Sequence, residues 1–147
     1  MRYALALLLL AGCTSARYDS PVVAYPAERM LENREVTEHL AELVKSAGNC
    51  RRADEVAAFV VLDEGHFRLV MWPRTNLARA KQWGGSIPVG TVAIAHTHPF
   101  DCPRPSAQDR AEARRLGIPM FVVTPESTSL IGANGDVVAV RAVRVTS

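Results

Sequence analysis

The segment His96-Thr97-His98-Pro99-Phe100-Asp101-Cys102-Pro103-Arg104-Pro105-Ser106-Ala107-Gln108-Asp109 brings two imidazoles, a hydroxyl and a carboxylate into one short stretch. The residues before it, Thr91-Val-Ala-Ile-Ala95, are apolar or β-branched and predict a strand from Thr91 to His96. On a strand, residues i and i+2 share a face, so His96 and His98 can present ring nitrogens to one cation. A shell of His96, His98 and Asp109 leaves the fourth tetrahedral position open, the layout of a catalytic rather than a structural zinc site. Ser106-x-x-Asp109 after Pro105 also predicts a helix start, with Ser106 as N-cap and an acidic residue at N3. The two readings are compatible, because a first-turn Asp can face a metal held by the preceding strand.

Other folds that use His-x-His fit poorly. Gly90, five residues and His96-x-His98 looks like the opening of a cupin motif. A cupin, however, needs a Glu three or four residues after the second His and a later His; here positions 102 and 103 are Cys and Pro, and no His follows His98. Barrel amidohydrolases need about 200 residues or more, whereas this chain has 147. Neither His-Glu-x-x-His nor the deaminase pair of His-x-Glu with Pro-Cys-x-x-Cys is present.

At these residues the chain resembles the JAMM (MPN+) metallopeptidases, whose signature is His-x-His, seven residues, Ser, two residues and Asp, with a glutamate upstream. The His-to-Asp part matches without a gap, and the order of predicted elements is similar over about residues 30 to 145. The resemblance implies Zn²⁺ held by His96, His98 and Asp109, with Ser106 donating a hydrogen bond to the oxyanion. It also implies hydrolysis of peptide or isopeptide bonds, including removal of ubiquitin-like proteins. The upstream glutamate is Glu55 or Glu64 on the residues alone. Glu64 lies in Asp63-Glu64-Gly65, a turn signal at the far end of a hairpin; Glu55 directly precedes the apolar run Val56 to Leu62. In the family this Glu follows a helix and opens a strand, so the carry-over lands on Glu55 as general base. Ala57, Ala58 and Phe59 stand where the family often has Gly and small residues.

Arg2 and the short apolar run Ala4 to Ala11 form a signal-peptide pattern, too short for a membrane span of about twenty residues. Leu10-Ala11-Gly12-Cys13 resembles a bacterial lipobox, which implies cleavage after residue 12 and lipidation of Cys13; the alternative is an ordinary secretory signal with a coincidental Cys. Several acyl chains would anchor an otherwise soluble domain. Thr14 after the Cys points to the outer membrane, so the expected location is the bacterial envelope.

The chain is 48% hydrophobic and 22% charged, a globular composition. Its formal charge of +2 falls to +1 without Arg2, which gives no nucleic-acid footprint. Cys50 and Cys102 make an even pair in an oxidising compartment, and a Cys50–Cys102 disulfide is favoured on that ground. Two free thiols, or Cys102 as an extra zinc ligand, are the rivals.

Residues 13–29 contain Pro and Ser without clean periodicity and are expected to be a tether. Leu31 to Ala47 predicts an amphipathic helix, Val56 to Trp72 a hairpin, and Pro73 to Gly90 mostly a loop bordering a substrate cleft. A helix from Gln108 stopped by Gly117, a strand from Met120 to Thr124, and a hairpin across Asn134-Gly135 complete the order. The expected fold is α+β (an α/β sandwich): a mixed central sheet flanked by helices, forming one domain over residues 30–147. For an envelope lipoprotein, peptides, proteins and cell-wall peptides are the reachable substrates. A metal-stabilised envelope binding or assembly protein without turnover and a zinc scavenger are the competing classes.

Overall fold

The computed structural model describes residues 20–51, 55–73, 83–99 and 104–142. The lipobox with Cys13, and also Cys102, lie outside the described residues. Among the described residues no helix is long and apolar enough to cross a membrane.

The element order is α1 (Ala27–Glu32), α2 (Arg34–Ser46), β1 (Ala57–Asp63), β2 (His66–Met71), β3 (Thr91–Thr97), α3 (Ala107–Leu116), β4 (Met120–Val123), β5 (Ser127–Ile131) and β6 (Val137–Ala142). The six strands form one sheet in the order β2-β1-β3-β4-β5-β6. Only β3 and β4 pair in parallel, and α3 supplies their crossover; the other neighbours are antiparallel. This is the mixed α+β sheet the sequence predicts.

The central strands are continuous apolar runs because both faces of the sheet are covered. On one face Val36, Leu40, Leu43 and Val44 of α2 pack with Ala58, Val60, Ala95, Phe121 and Val123. On the other, Ala113 of α3 and Ile118 pack with Phe59, Val61, Ile94, Met120, Val122 and Ile131. Glu64 and Gly65 both take positive φ, 49° and 88°, as a tight hairpin between β1 and β2 requires.

Two N-terminal expectations are corrected. The single helix predicted from Leu31 is broken at Asn33, whose side chain accepts a hydrogen bond from Val36 N–H and so starts α2 as a new helix. The end of the expected tether is docked: Val22 bridges Thr91, Tyr25 packs edge-on to Phe67, and α1 begins at Ala27. The domain therefore takes in residues before position 30, because the edge of β3 at Thr91 offers main-chain groups that the incoming chain satisfies.

The outer edge of β2 is met by a helix rather than a strand. Glu35 accepts the Phe67 N–H at 2.8 Å, and His39 Nε2 lies 2.9 Å from the Phe67 carbonyl oxygen. One turn apart on α2, these two side chains take the place of a neighbouring strand and blunt the edge.

Candidate metal centre

His96 is the sixth residue of β3, and His98 follows its end, where His98 N–H still donates to Val123 O at 3.2 Å. Ala57 of β1 lies opposite His96, which lies beside Val122 of β4, so His96 projects from the α3 face. His98, two residues on, shares that face.

Asp109 comes from α3. Ser106 is its N-cap, with φ −80° and ψ 166°, and a full capping box forms: Asp109 N–H donates to Ser106 Oγ, and Ser106 N–H donates to Asp109 Oδ2. The first turn of the helix also favours a negative charge. Gly117, in the left-handed region at φ 65°, ends α3 and turns the chain toward β4.

Strand and helix N-terminus meet at the three predicted ligands. The Nε2 atoms of His96 and His98 are 3.1 Å apart; His96 Nε2 is 3.2 Å from Asp109 Oδ1, and His98 Nε2 is 3.2 Å from Asp109 Oδ2. One donor atom from each residue can be chosen so that all lie within 4.8 Å of one another. Bonds of about 2.0–2.1 Å in a tetrahedral shell place ligand atoms about 3.3 Å apart, so the donor set fits a small divalent cation. Both histidines are buried, at 8% and 6% exposure, which keeps solvent from competing for their nitrogens.

Burial alone would push the Asp109 carboxyl pKa up. Hydrogen bonds from His96 and His98, the charge of His96 and the Ser106 N–H outweigh it, holding the carboxyl well below the usual carboxylate range. Asp109 is thus an anion ready to receive a cation.

Ser106 is in place but engaged. Its Oγ lies 2.7 Å from Asp109 Oδ2, so the hydroxyl hydrogen is directed at the carboxylate while Oγ accepts the Asp109 N–H. Glu55 stands two residues before Ala57, with no hydrogen bond or ion pair to another described residue. The last ladder pair of β1 and β3 is Ala57↔His96, and carrying that register one residue further sets Val56 beside Thr97. The Thr97 N–H bond to Val56 O at 2.9 Å confirms this step. Glu55 is the next residue outward, at the same end of the sheet as His98. Glu64 is at the opposite end of β1, in the hairpin turn.

Cys50 is a free, buried thiol, and Cys102, its expected disulfide partner, lies outside the described residues. Cys50 packs with Ala47, Val56 and Ala58 on the α2 face, whereas His96 and α3 are on the other. The sheet thus puts Cys50 behind the site. Burial raises the Cys50 pKa above its ordinary value.

An aromatic cluster borders the site on the β2 side. The main-chain N–H of Trp72 donates to Ala57 O, and the rings of Phe59, Trp72 and Trp83 lie 5.1 to 5.9 Å apart. Sequence reasoning passed over it because neither tryptophan belongs to a recognisable motif. It also passed over Thr97, which carries no signal beyond the strand preference of a β-branched residue.

The sequence profile of the family described as prokaryotic homologs of the JAB domain matches residues 36–144. The chain belongs to this family, which includes metal-dependent hydrolases. A JAB1/MPN domain protein from Archaeoglobus fulgidus, known from its crystal structure, is similar at 21% identity and a TM-score of 0.48, over 68% of this chain and 89% of that one. No curated protein matches the chain.

Proposed function

We propose that this protein is a zinc-dependent hydrolase of peptide or isopeptide bonds. The observation that carries this reading is the convergence of His96, His98 and Asp109 donor atoms at 3.1 to 3.2 Å on one face of the sheet. Three N/O ligands of this kind suit Zn²⁺ and leave a position open. A cation there would supply a lowered water pKa and a polarised substrate carbonyl.

The chain's own residues do the rest. His96 and His98 bind through neutral Nε2 atoms, and Asp109 supplies the negative charge. Glu55, just before the end of β1 that pairs with His96, takes the proton from water and returns it to the leaving amine. Ser106 holds Asp109 in the resting arrangement; rotation of its hydroxyl would let it donate to the developing oxyanion.

We further propose that residues 1–12 are a signal peptide and that Cys13 is lipidated, placing the enzyme in the bacterial envelope. The lipobox-like sequence supports this, and it makes envelope proteins and cell-wall peptides the accessible substrates. The mass of the mature N-terminal peptide tests it.

Zinc-loaded protein incubated with peptide and muropeptide pools, read by mass spectrometry, is the functional test. Cleavage is expected in the wild type and not in Glu55→Gln, while both retain zinc. Zinc retention with no cleavage in the wild type would favour a non-catalytic envelope binding protein. Cleavage undiminished in Glu55→Gln would reassign the base.

A further inference from the structure

Thr97 stands between the two metal-site histidines, yet its side chain is on the opposite face of β3 and is almost wholly buried, at 1% exposure. The metal chemistry makes no use of it. Two hydrogen bonds tie it to one residue of β1's approach: Thr97 N–H donates to Val56 O at 2.9 Å, and Thr97 Oγ1 accepts the Val56 N–H at 3.0 Å.

In a regular antiparallel pair the second of these bonds would run from Val56 N–H to the Thr97 carbonyl. Here a hydroxyl oxygen takes the place of that carbonyl. The last ladder pair is Ala57↔His96, so this substitution falls where β1 and β3 begin to part. The peptide plane it holds joins the Glu55 carbonyl to the Val56 N–H. Fixing that plane fixes the direction in which Glu55 leaves the sheet.

We propose that Thr97 is a positioning residue for Glu55, acting through the Val56 amide. The inference rests on the reading of Glu55 as the proton acceptor. Two physical points separate it from ordinary core packing. A buried Val56 N–H deprived of its acceptor must find another, which costs more than losing a methyl contact. Regaining one by moving shifts Glu55 itself, while His96 and His98 stay fixed by β4 and by the β3 ladder.

The test uses the full-length protein loaded with Co²⁺, whose ligand-field absorption responds to groups around the open coordination position. Wild type, Glu55→Gln, Thr97→Val and Thr97→Ser are compared for Co²⁺ affinity by competition and for the visible band. Glu55→Gln is expected to alter the band with affinity held within about tenfold, the lower end of what loss of an outer-shell partner costs. Thr97→Val, isosteric but without the acceptor, should reproduce that altered band; Thr97→Ser should restore the wild-type one.

A wild-type band in Thr97→Val alongside an altered one in Glu55→Gln overturns the positioning role alone. An unaltered band in Glu55→Gln overturns the reading of Glu55 and this inference with it. A Thr97→Val protein whose Co²⁺ affinity falls well beyond about tenfold shows the hydroxyl serving the histidines, and also overturns it. If Thr97→Val does not fold, Thr97→Ala takes its place with the same expectations.

Discussion

Ser106 and Asp109 satisfy each other through three hydrogen bonds, with the Ser106 N–H and hydroxyl both directed at Asp109 Oδ2 and the Asp109 N–H at Ser106 Oγ. A helix cap is thereby also the support of the carboxylate in the candidate metal centre. Ser106→Ala should cost about 1 kcal/mol as a lost N-cap. It should also weaken zinc binding about tenfold, because an outer-shell partner of a ligand is gone. Ser106→Thr keeps the hydroxyl and should restore both. Denaturant melts and zinc competition titrations measure the two effects separately. Unchanged zinc affinity in Ser106→Ala would leave the serine with a capping role only.

The pH dependence of the metal-free protein follows from the same carboxylate. Folded Asp109 takes up its proton well below the ordinary carboxylate range, while in the unfolded chain it does so near the usual value of about 3.9. The unfolded state therefore protonates first as pH falls. The stability contributed by ionised Asp109 is complete above that unfolded value and is lost as pH drops through it toward the folded one. Wild-type protein should lose stability more steeply than Asp109→Asn between about pH 5 and pH 3. Equal slopes would mean that the carboxylate is not engaged by its neighbours.

The metal motif and its supports were legible to different degrees. His96, His98, Ser106 and Asp109 lie close in sequence, and the periods of a strand and of a helix's first turn suffice to bring them together. The choice of Glu55 over Glu64 leaned on family resemblance, because which glutamate lies toward the histidines depends on the non-local pairing of β1 with β3. The face of Cys50 was not legible either: a segment close in sequence to the site can pack on either side of the sheet, and Cys50 packs on the α2 side. Asn33, a good N-cap three residues before Val36, carried a signal for splitting the first helix that an unbroken apolar stripe concealed.

Metal should stabilise the fold, because the site is assembled only in the native state. Chelator treatment of zinc-loaded protein is expected to lower Tm, by an amount that grows with the ratio of free zinc to Kd. In His96→Ala the chelator should change nothing, since one of the three converging donors is missing. An equal drop in both proteins would place the stabilising metal elsewhere.

The helix that carries Asp109 is also tied to the β5–β6 turn. Arg110 Nε donates to the Gly135 carbonyl and Arg114 Nε to the Asn134 carbonyl, both at 2.9 Å, which bolts α3 to the β5–β6 turn. Gly135 has φ 82°, and a Cβ built there would lie 2.5 Å from Arg110 O. Gly135→Ala is therefore strained twice, by its backbone conformation and by the helix carbonyl. A loss of about 1–3 kcal/mol is expected, typical of a residue forced into a sparsely populated region. Because the turn must move away from Arg110, the helix start should loosen, and zinc affinity should fall with stability. Arg110→Lys keeps the charge toward Asp136 but not the guanidinium geometry, and should fall between the wild type and Gly135→Ala on both measures. Stability lost at full zinc affinity would show that the turn secures the helix without setting the position of Asp109.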